Sequence, residues 1–391
     1  MDLRLDDLFG ESLRPSLHPN AFEQTFVEGL VLERADRIIN DTPQVKNRIM
    51  SGQVAPIGWD KLTFSFQATD AMFLAMTRSG DAWPQAELVP FEEFQVSPAA
   101  GALNYGQGLF EGMKAYRSGK NRVVLFRPED NARRAIDGAK RLGLTPVPQD
   151  YFLDAVTRVV RANERWIPPQ GKGALYIRPL LIGSGPILGV SPAPENTFIV
   201  YVSPVGPYFK GGLTAIPLMV SEDNHRAAPG GTGNVKAIGN YAPGMIPAKQ
   251  AKGAGFAEVI YLDAKSHRNV EEVGAANFFY IDQQGVIHTP GLTGTILPGI
   301  TRNSVIQLAR DFGYQVEEGR VPIAEVMANG VEAFCTGTAA VISPIGSITH
   351  GGQKAVFGNN SVGQVTSNLY EALTAIQEER APDPYGWVRV I

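Results

Sequence analysis

Pro229-Gly-Gly-Thr-Gly-Asn-Val-Lys236-Ala-Ile-Gly-Asn-Tyr241 is the stretch from which we interpret the rest of the chain, because it leads to one lysine through a run of small residues. Glycine lets the backbone approach another surface closely. The apolar neighbours Val235 and Ala237 can exclude water from the lysine, and desolvation lowers a lysine pKa towards the neutral, nucleophilic amine. These are the requirements for a lysine that forms a Schiff base. The alternative is a turn followed by a surface lysine, which is the commoner role of such a segment.

The composition is that of an ordinary globular protein. The chain has 391 residues, 44% hydrophobic and 19% charged, which is enough for two or three domains with substantial cores. The net charge of −4 predicts neither nucleic acid nor an anionic membrane as a partner. No apolar run approaches the roughly 20 residues of a membrane span. We therefore expect small-molecule partners.

The cysteine, the histidines and the N-terminus predict compartment and metal content. Cys335 is the only cysteine, so an internal disulfide is excluded. The five histidines have no ligand-like spacing, so no metal site is expected. The acidic start, Met1–Asp7, lacks both a signal-peptide core and the acid-poor character of a transit peptide. These features predict a cytoplasmic protein.

Two arginines stand in unusual places in the first half. The segment Arg127–Asp130 follows a short apolar strand, and Asp130 or Asn131 can cap the next helix. Arg134 then lies in the first turn, where a cation opposes the helix dipole, so a solvated arginine and an anion ligand both remain open. Arg178 interrupts the apolar strand 174–183. A buried unpaired charge is costly, so Arg178 is either on an edge or functional.

The second half contains further candidate groups. The segment Leu297–Asn303 opens a helix, so the N–H groups of Ile300 and Thr301 lie at a helix N-terminus, a natural phosphate site. Two adjacent acids, Glu271 and Glu272, precede a hairpin. A lysine, an acid and a phosphate site together match pyridoxal 5′-phosphate, which needs a partner for its aldehyde, its ring nitrogen and its phosphate. A carboxylate at the ring nitrogen favours the protonated ring that transamination uses.

Over residues 60 to 380 the chain resembles the branched-chain amino acid aminotransferases of the fold-type IV pyridoxal-phosphate enzymes. Six ordered motifs carry the resemblance, namely Leu103–Arg117, Tyr176–Pro179, Gly231–Tyr241, Glu272–Asn277, Leu297–Arg302 and Thr336–Ala340.

The resemblance implies an α/β fold with α+β character, in which an N-terminal open α/β sandwich precedes a C-terminal strand-rich pseudo-barrel. The expected organisation is an N-terminal extension packed on the first domain (1–60), a small α/β domain (61–204), an interdomain loop (205–213) and a large cofactor-binding domain (214–391). A homodimer would complete the active site between the domains.

The resemblance also implies roles for individual residues. Lys236 would hold the cofactor aldehyde and move the substrate proton, Tyr241 would bind the ring O3′, and Glu272, which directly precedes Val-Gly, would pair with the ring nitrogen. The phosphate ligands would be Arg134, Ile300, Thr301 and Thr338. The substrate-binding residues would be Phe110, Tyr105 from the partner subunit, Tyr176, Arg178, Tyr208, Ala339 and Ala340, with Arg178 accepting the distal carboxylate of glutamate.

The implied reaction is a ping-pong transamination of leucine, isoleucine or valine with 2-oxoglutarate. A D-amino acid aminotransferase and an aminodeoxychorismate lyase would share Lys236 and Glu272. The Tyr-Ile-Arg-Pro stretch at 176–179 and the Phe-Glu-Gly-Met-Lys stretch at 110–114 favour the branched-chain enzyme. A catalytically silent cofactor-binding protein is the alternative from a different class.

Overall fold

The computed structural model describes residues 58–207 and 212–391, and two β-sheets organise this part of the chain. The expected packing of residues 1–57 and the predicted role of Tyr208 lie outside the described residues. Within the described ranges, no helix is long and apolar enough to cross a membrane. The same residues contain no group of three His, Cys, Asp or Glu side chains placed to hold a metal ion.

The first sheet has eight strands. They are β1 (Ala71–Arg78), β2 (Leu88–Pro90), β3 (Gly108–Phe110), β4 (Met113–Arg117), β5 (Val123–Phe126), β6 (Ala174–Gly183), β7 (Glu195–Val205) and β17 (Val388–Val390). Seven of them follow the order β17-β5-β4-β6-β7-β1-β2, and β3 pairs with β6. The long antiparallel pair β6–β7 forms the centre, with Ile177 opposite Val202.

Two amphipathic helices cover this sheet, α2 (Pro128–Arg141) and α3 (Gln149–Ala162), and a short helix, α1 (Gly101–Tyr105), precedes β3. Alanines of α2 and the side chains of Phe152 and Val156 of α3 join Leu175 and Ile177 in one buried cluster. Each fully buried Val, Leu, Ile or Phe contributes about 1.5–3 kcal/mol relative to an exposed one, so this apolar face fixes the position of both helices.

The start of α2 differs from the prediction. The helix begins at Pro128 with Arg127 as its N-cap, and neither Asp130 nor Asn131 caps it. Proline fits the first helical position because its fixed φ is already helical and its missing N–H is not needed there. Arg127 has φ 50° and donates its backbone N–H to the Trp387 carbonyl at 2.7 Å. Arg134 therefore lies in the second turn, where its charge opposes the helix dipole less.

The second sheet contains a closed ring of strands. Its members are β8 (Ile216–Val220), β9 (Glu258–Leu262), β10 (Val270–Val273), β11 (Ala276–Asp282), β12 (Ile287–Pro290), β13 (Val316–Gly319), β14 (Gly330–Gly337), β15 (Val341–His350) and β16 (Gln353–Val356). The order β10-β9-β8-β15-β14-β11 returns to its start because β10 also pairs with β11. Closure removes the sheet edges of these six strands, which form a barrel.

Helices pack against the strands of this sheet. They are α4 (Met245–Gly253), α5 (Ile300–Asp311), α6 (Ile323–Asn329) and α7 (Gln364–Gln377). Val305, Ile306 and Leu308 of α5 are buried, as the helical period of the sequence predicts. The same period places Phe312 on this face, but Phe312 is half exposed, because α5 ends at Asp311 and Phe312 is its C-cap.

The two sheets meet at the lysine segment. Phe110 of β3 donates its backbone N–H to the carbonyl of Lys236 at 3.1 Å, and Leu109 forms an isolated antiparallel bridge with Ala237. The expected fold class, an open α/β sandwich followed by a strand-rich pseudo-barrel, is confirmed. The last strand, β17, pairs with β5 of the first sheet, although residues 388–390 fall in the range 214–391 that we proposed for the second domain.

Candidate active site

Lys236 is a partly buried lysine at the junction of the two sheets. Its Nζ donates a hydrogen bond to the Tyr241 hydroxyl at 3.2 Å and lies 4.7 Å from the ring centroid of Phe110. Burial, together with the nearby cations Arg134 and Arg178, lowers the pKa of Lys236 to about 8. The amine is therefore far more nucleophilic at neutral pH than an ordinary lysine.

Tyr241 and Phe110 form one wall of the site, with ring centroids 4.8 Å apart. Burial and the Glu272 carboxylate raise the pKa of the Tyr241 hydroxyl well above its usual range. The hydroxyl therefore stays protonated, and it can accept from Lys236 while donating its own proton to an acceptor. A phenolic oxygen of a bound cofactor is such an acceptor.

Glu272 lies on β10 with only 2% of its side chain exposed. Its Oε1 accepts a hydrogen bond from Asn277 Nδ2 at 3.1 Å, and its Oε2 forms an ion pair with Arg226. Burial raises the pKa of Glu272 to about 7, although Arg226 and Lys236 oppose the rise. Among the described residues, Oε2 has no hydrogen-bond donor of regular geometry.

The neighbouring acid, Glu271, is also buried and accepts a short hydrogen bond from the Thr295 hydroxyl. No pattern around Glu271 in the sequence indicates this burial. Glu271 is the extra residue at a register shift in the pairing of β10 with β9, between the pairs Val270–Leu262 and Glu272–Tyr261. Glu271 is thus a second buried carboxylate beside Glu272 and not a solvent-exposed one.

Arg134 is fixed by a residue that the sequence analysis missed. Glu111 has no exposed side-chain surface and binds Arg134 through two parallel contacts, from Nε at 2.8 Å and from Nη2 at 2.7 Å. Asn131 Nδ2 donates to the same carboxylate at 2.8 Å. A bidentate pair of this kind restricts the guanidinium to one orientation. The remaining Nη1 donates to the Pro298 carbonyl at 3.0 Å.

That contact brings Arg134 to the start of α5, where Gly299 is the N-cap and Ile300 is the first helical residue. Among residues 58–207 and 212–391, no side chain caps this end. The first N–H groups of a helix have no partners inside the helix, so those of Ile300 and Thr301 are available to an anion. A guanidinium and a helix N-terminus together suit a phosphate.

The loop between β14 and β15 closes the site from the barrel side. The Thr338 hydroxyl donates to the Gly112 carbonyl at 3.2 Å. Ala339 and Ala340 form the turn, and Val341 directly after them has φ 64°, a strained conformation for a β-branched residue. The partly buried Lys114, for which no pattern in the sequence indicates a role, donates to the Ala339 carbonyl at 2.7 Å.

Tyr176 and Arg178 face the site from β6. Arg178 Nη2 donates to the Tyr176 hydroxyl at 3.3 Å, and the guanidinium lies 4.6 Å from the ring centroid of Phe110. A side chain on Gly112 would place its Cβ 2.2 Å from the Tyr176 hydroxyl, so only glycine leaves room for that tyrosine. The Phe-Glu-Gly-Met-Lys stretch therefore contributes to the site at four of its five positions.

Tyr105 lies apart from these groups. It is on α1 with 42% of its surface exposed, and its hydroxyl donates to the Leu188 carbonyl. The structure thus brings together Lys236, Tyr241, Phe110, Tyr176 and Arg178 through direct contacts. Arg134 is close enough to lower the Lys236 pKa by its charge, and Thr338 joins the Gly112 backbone. Tyr105 takes no part in that network within this chain.

The donor set fits pyridoxal 5′-phosphate. In the part of the chain that the structure describes, the buried Glu272 Oε2 atom forms an ion pair with Arg226 but accepts no hydrogen bond of regular geometry, so it can still accept one from a protonated ring nitrogen. The protonated Tyr241 suits the ring oxygen, and Arg134 with the start of α5 suits the phosphate. Lys236 supplies the amine that holds the aldehyde.

Curated relatives are similar over most of the chain. It is 50% identical to "Branched-chain amino acid aminotransferase 2, chloroplastic" of Humulus lupulus over 86% of this chain and 82% of that protein. It is 45% identical to a methionine aminotransferase of Arabidopsis thaliana over 85% of this chain and 93% of that protein.

The predicted cytoplasmic location is wrong according to these comparisons. Relatives that span more than four fifths of this chain are named as chloroplastic or mitochondrial enzymes. The acidic N-terminus on which the prediction rested does not decide the compartment.

Solved structures and the family model agree with the curated relatives. The branched-chain amino acid aminotransferase of Escherichia coli is 30% identical, with a TM-score of 0.71 over 82% of this chain and 98% of that chain. The T.th. enzyme complexed with N-(5′-phosphopyridoxyl)-L-glutamate is 28% identical, with a TM-score of 0.68 over 83% and 99%. The model of the amino-transferase class IV family matches residues 108–348. The chain therefore belongs to the class IV aminotransferases, and among these pyridoxal-phosphate enzymes it is a branched-chain amino acid aminotransferase.

Proposed function

We propose that this enzyme transfers the amino group of L-leucine, L-isoleucine or L-valine to 2-oxoglutarate, and that it works as a homodimer. The observation that carries the proposal is the wall beside Lys236. The Phe110 ring lies 4.7 Å from the Lys236 amine and 4.6 Å from the Arg178 guanidinium. An apolar surface with one cation beside it can accept an aliphatic side chain and, in the second half-reaction, a side chain that ends in a carboxylate.

The cation has only weak partners of its own. Arg178 contacts the Tyr176 hydroxyl, and in the described residues its buried Nε has no acceptor. A partly buried guanidinium without a carboxylate partner favours an anionic ligand, because an unpaired charge with little access to water is costly. The distal carboxylate of glutamate or 2-oxoglutarate is an anion of the right kind. The T.th. relative bound to a phosphopyridoxyl-glutamate is consistent with such a substrate.

The chain's own groups divide the work of the reaction. The bound cofactor supplies the electron sink and carries the amino group between the two substrates. The neutral Lys236 amine moves the proton at the substrate Cα. Tyr241 and Glu272 orient and polarise the ring, and Arg134, Thr338 and the start of α5 hold the phosphate. The Ala339 and Ala340 N–H groups, with Tyr176, bind the substrate carboxylate.

Exposed apolar residues support the homodimer. Leu188 and Val190 are 93% and 86% exposed, and Leu103 and Tyr105 on α1 are also exposed. The contact of Tyr105 with the Leu188 carbonyl joins these residues into one surface. Monomeric proteins rarely expose such a patch, so we assign it to the subunit interface. There Tyr105 would enter the partner's site.

Initial rates with a panel of L- and D-amino acids and 2-oxoglutarate test the proposal. We expect turnover of the three branched L-amino acids and none of their D-forms. Turnover of D-amino acids alone would identify a D-amino acid aminotransferase, and no turnover with a protein that binds the cofactor would identify a silent relative. Methionine belongs in the panel because one relative is named for it.

A variant then tests whether one pocket accepts both the aliphatic side chain of leucine and the distal carboxylate of 2-oxoglutarate. Arg178→Gln should raise the KM for 2-oxoglutarate about 10- to 150-fold, the equivalent of a lost charge-assisted contact of roughly 1.5–3 kcal/mol, and change the KM for leucine much less. Arg117→Gln on β4, whose guanidinium pairs with Glu164 at 3.0 Å, is the matched control and should change neither. Equal effects of Arg178→Gln on both substrates would remove the distal-carboxylate role.

A further inference from the structure

Arg226 is a nearly buried arginine that joins three segments of the active site. It lies in the loop after β8, and only 10% of its side chain is exposed. Its Nη2 donates to the Gly233 carbonyl at 2.9 Å and to the Thr295 carbonyl, and it forms an ion pair with Glu272. Gly233 belongs to the glycine-rich stretch that leads to Lys236. One guanidinium therefore contacts the loop of the lysine and the carboxylate of β10.

The packing around Arg226 leaves little freedom. A Cβ at Gly233 would lie 2.2 Å from the Thr295 carbonyl oxygen and 2.5 Å from the Ala227 Cβ. The backbones at residues 227, 233 and 295 are thus in close contact, and Arg226 lies where they meet. A shift of its guanidinium would move the lysine loop relative to Glu272.

Glu272 needs a cation, because burial disfavours its ionised form. The groups that face it are Arg226, Lys236, the adjacent Glu271, the Tyr241 hydroxyl, the Asn277 amide and the backbone N–H of Leu297. Glu271 opposes ionisation, and Lys236 ceases to be a free cation once it holds the cofactor. Arg226 is then the remaining cation among the described groups that face Glu272.

We propose that Arg226 is a positioning residue for the reaction, which keeps the Glu272 carboxylate ionised and aligned with the loop that carries Lys236. The inference rests on the role given to Glu272 in the proposed function. Arg226 touches neither substrate nor cofactor in this scheme and acts through Glu272.

The test uses the holoenzyme and the variants Arg226→Gln and Arg226→Lys. The absorbance of the bound cofactor is titrated from about pH 5.5 to pH 9 without substrate, and single-turnover rates with leucine are measured over the same range. In Arg226→Gln the acid limb of both profiles should move to higher pH by at least about 1 unit, so that the rate at about pH 6, below the limb, falls about 10-fold and recovers as pH rises. Arg226→Lys keeps the charge and should leave the limb near its original position.

A double variant separates this role from general structural damage. In a Glu272→Gln background, Arg226→Gln should cause no further loss beyond about 2-fold, because the group through which it acts is already neutral. Arg127→Gln is the matched control, since Arg127, the N-cap of α2, is similarly buried, pairs with Asp130 at 2.7 Å and donates to the Ser304 hydroxyl at 2.8 Å. It should lower the melting temperature without moving the acid limb.

An acid limb that stays in place in Arg226→Gln, or losses that multiply in the double variant, would overturn the inference. A Lys variant that is impaired as strongly as the Gln variant would overturn it too. A wild-type holoenzyme that fails to transaminate branched-chain amino acids would instead overturn the proposed function. The two failures are therefore distinguishable.

Discussion

The attachment of the cofactor to the apoenzyme should depend on pH through Lys236 itself. Burial and two neighbouring arginines lower the Lys236 pKa from 10.5 to about 8. At pH 7 an ordinary lysine is neutral in about one molecule in 3,000, whereas a lysine with a pKa near 8 is neutral in about one in ten. The structure thus predicts roughly a 300-fold larger population of the reactive amine at neutral pH.

Stopped-flow mixing of the apoenzyme with pyridoxal phosphate measures this effect. The attachment rate should rise about tenfold per pH unit below pH 8 and level off above it, because only the neutral amine attacks the aldehyde. Nα-acetyl-lysine is the matched control, and its profile should rise until about pH 10.5. Lys236→Ala should show no covalent attachment after borohydride reduction.

A neighbouring charge provides a second check on the same prediction. Arg178→Gln removes a cation that lowers the Lys236 pKa, so the midpoint should move to higher pH. An attachment rate that follows the acetyl-lysine profile would refute the argument, because Lys236 would then be ordinarily hydrated. Borohydride-reducible cofactor on the Lys236→Ala chain would show that another lysine is used.

Three further predictions follow from the same contacts. Arg134→Ala should weaken cofactor binding about 10- to 150-fold in an apoenzyme titration, because it removes a contact worth roughly 1.5–3 kcal/mol. It also leaves the buried Glu111 without its cation, which should lower the free energy of urea unfolding by roughly 3–5 kcal/mol, and adding Glu111→Gln should recover part of that loss. Glu272→Gln should slow the leucine half-reaction roughly 10²- to 10³-fold with the cofactor still bound. Glu325→Gln, at an exposed position, is the control and should leave the rate of this half-reaction unchanged. Equal rates in both variants would show that Glu272 is not the partner of the ring nitrogen. Gly233→Ala should lower the melting temperature and the cofactor affinity together, since its Cβ would clash with the Thr295 backbone, and a normal variant would contradict the described loop.

The local hydrophobic pattern of the sequence predicted the helices and strands that depend on contacts between residues close in the chain. The strand 174–183 and the helix with its core face at Val305, Ile306 and Leu308 correspond to β6 and α5, because hydrophobic period is a local property. The start of α2 was misplaced because two good capping residues, Asp130 and Asn131, follow Pro128. Asp130 pairs with Arg127 and Asn131 binds Glu111, and neither use can be seen without tertiary contacts.

The residues of the candidate site also divide into those that a local pattern reveals and those that only tertiary contacts reveal. Lys236 was recognisable from its small neighbours, and the start of α5 from its helical pattern. Glu111, Lys114 and Arg226 were missed because their importance comes from what they contact across the fold, at Arg134, Ala339 and Glu272. A charged residue in a sequence looks solvated until its burial is known.

The last strand has a consequence for synthesis of the chain. β17 pairs Val388 with Phe126, and the Trp387 carbonyl accepts the N–H of Arg127 at the start of the helix that bears Arg134. These pairings join residues more than 250 positions apart in the chain, and such distant contacts form late because loop closure must come first. On the ribosome, which delivers the N-terminal part first, the first sheet waits for residues 388–390 before its β5 edge is covered. A chain stalled or truncated before residue 388 would present that open edge to other nascent chains.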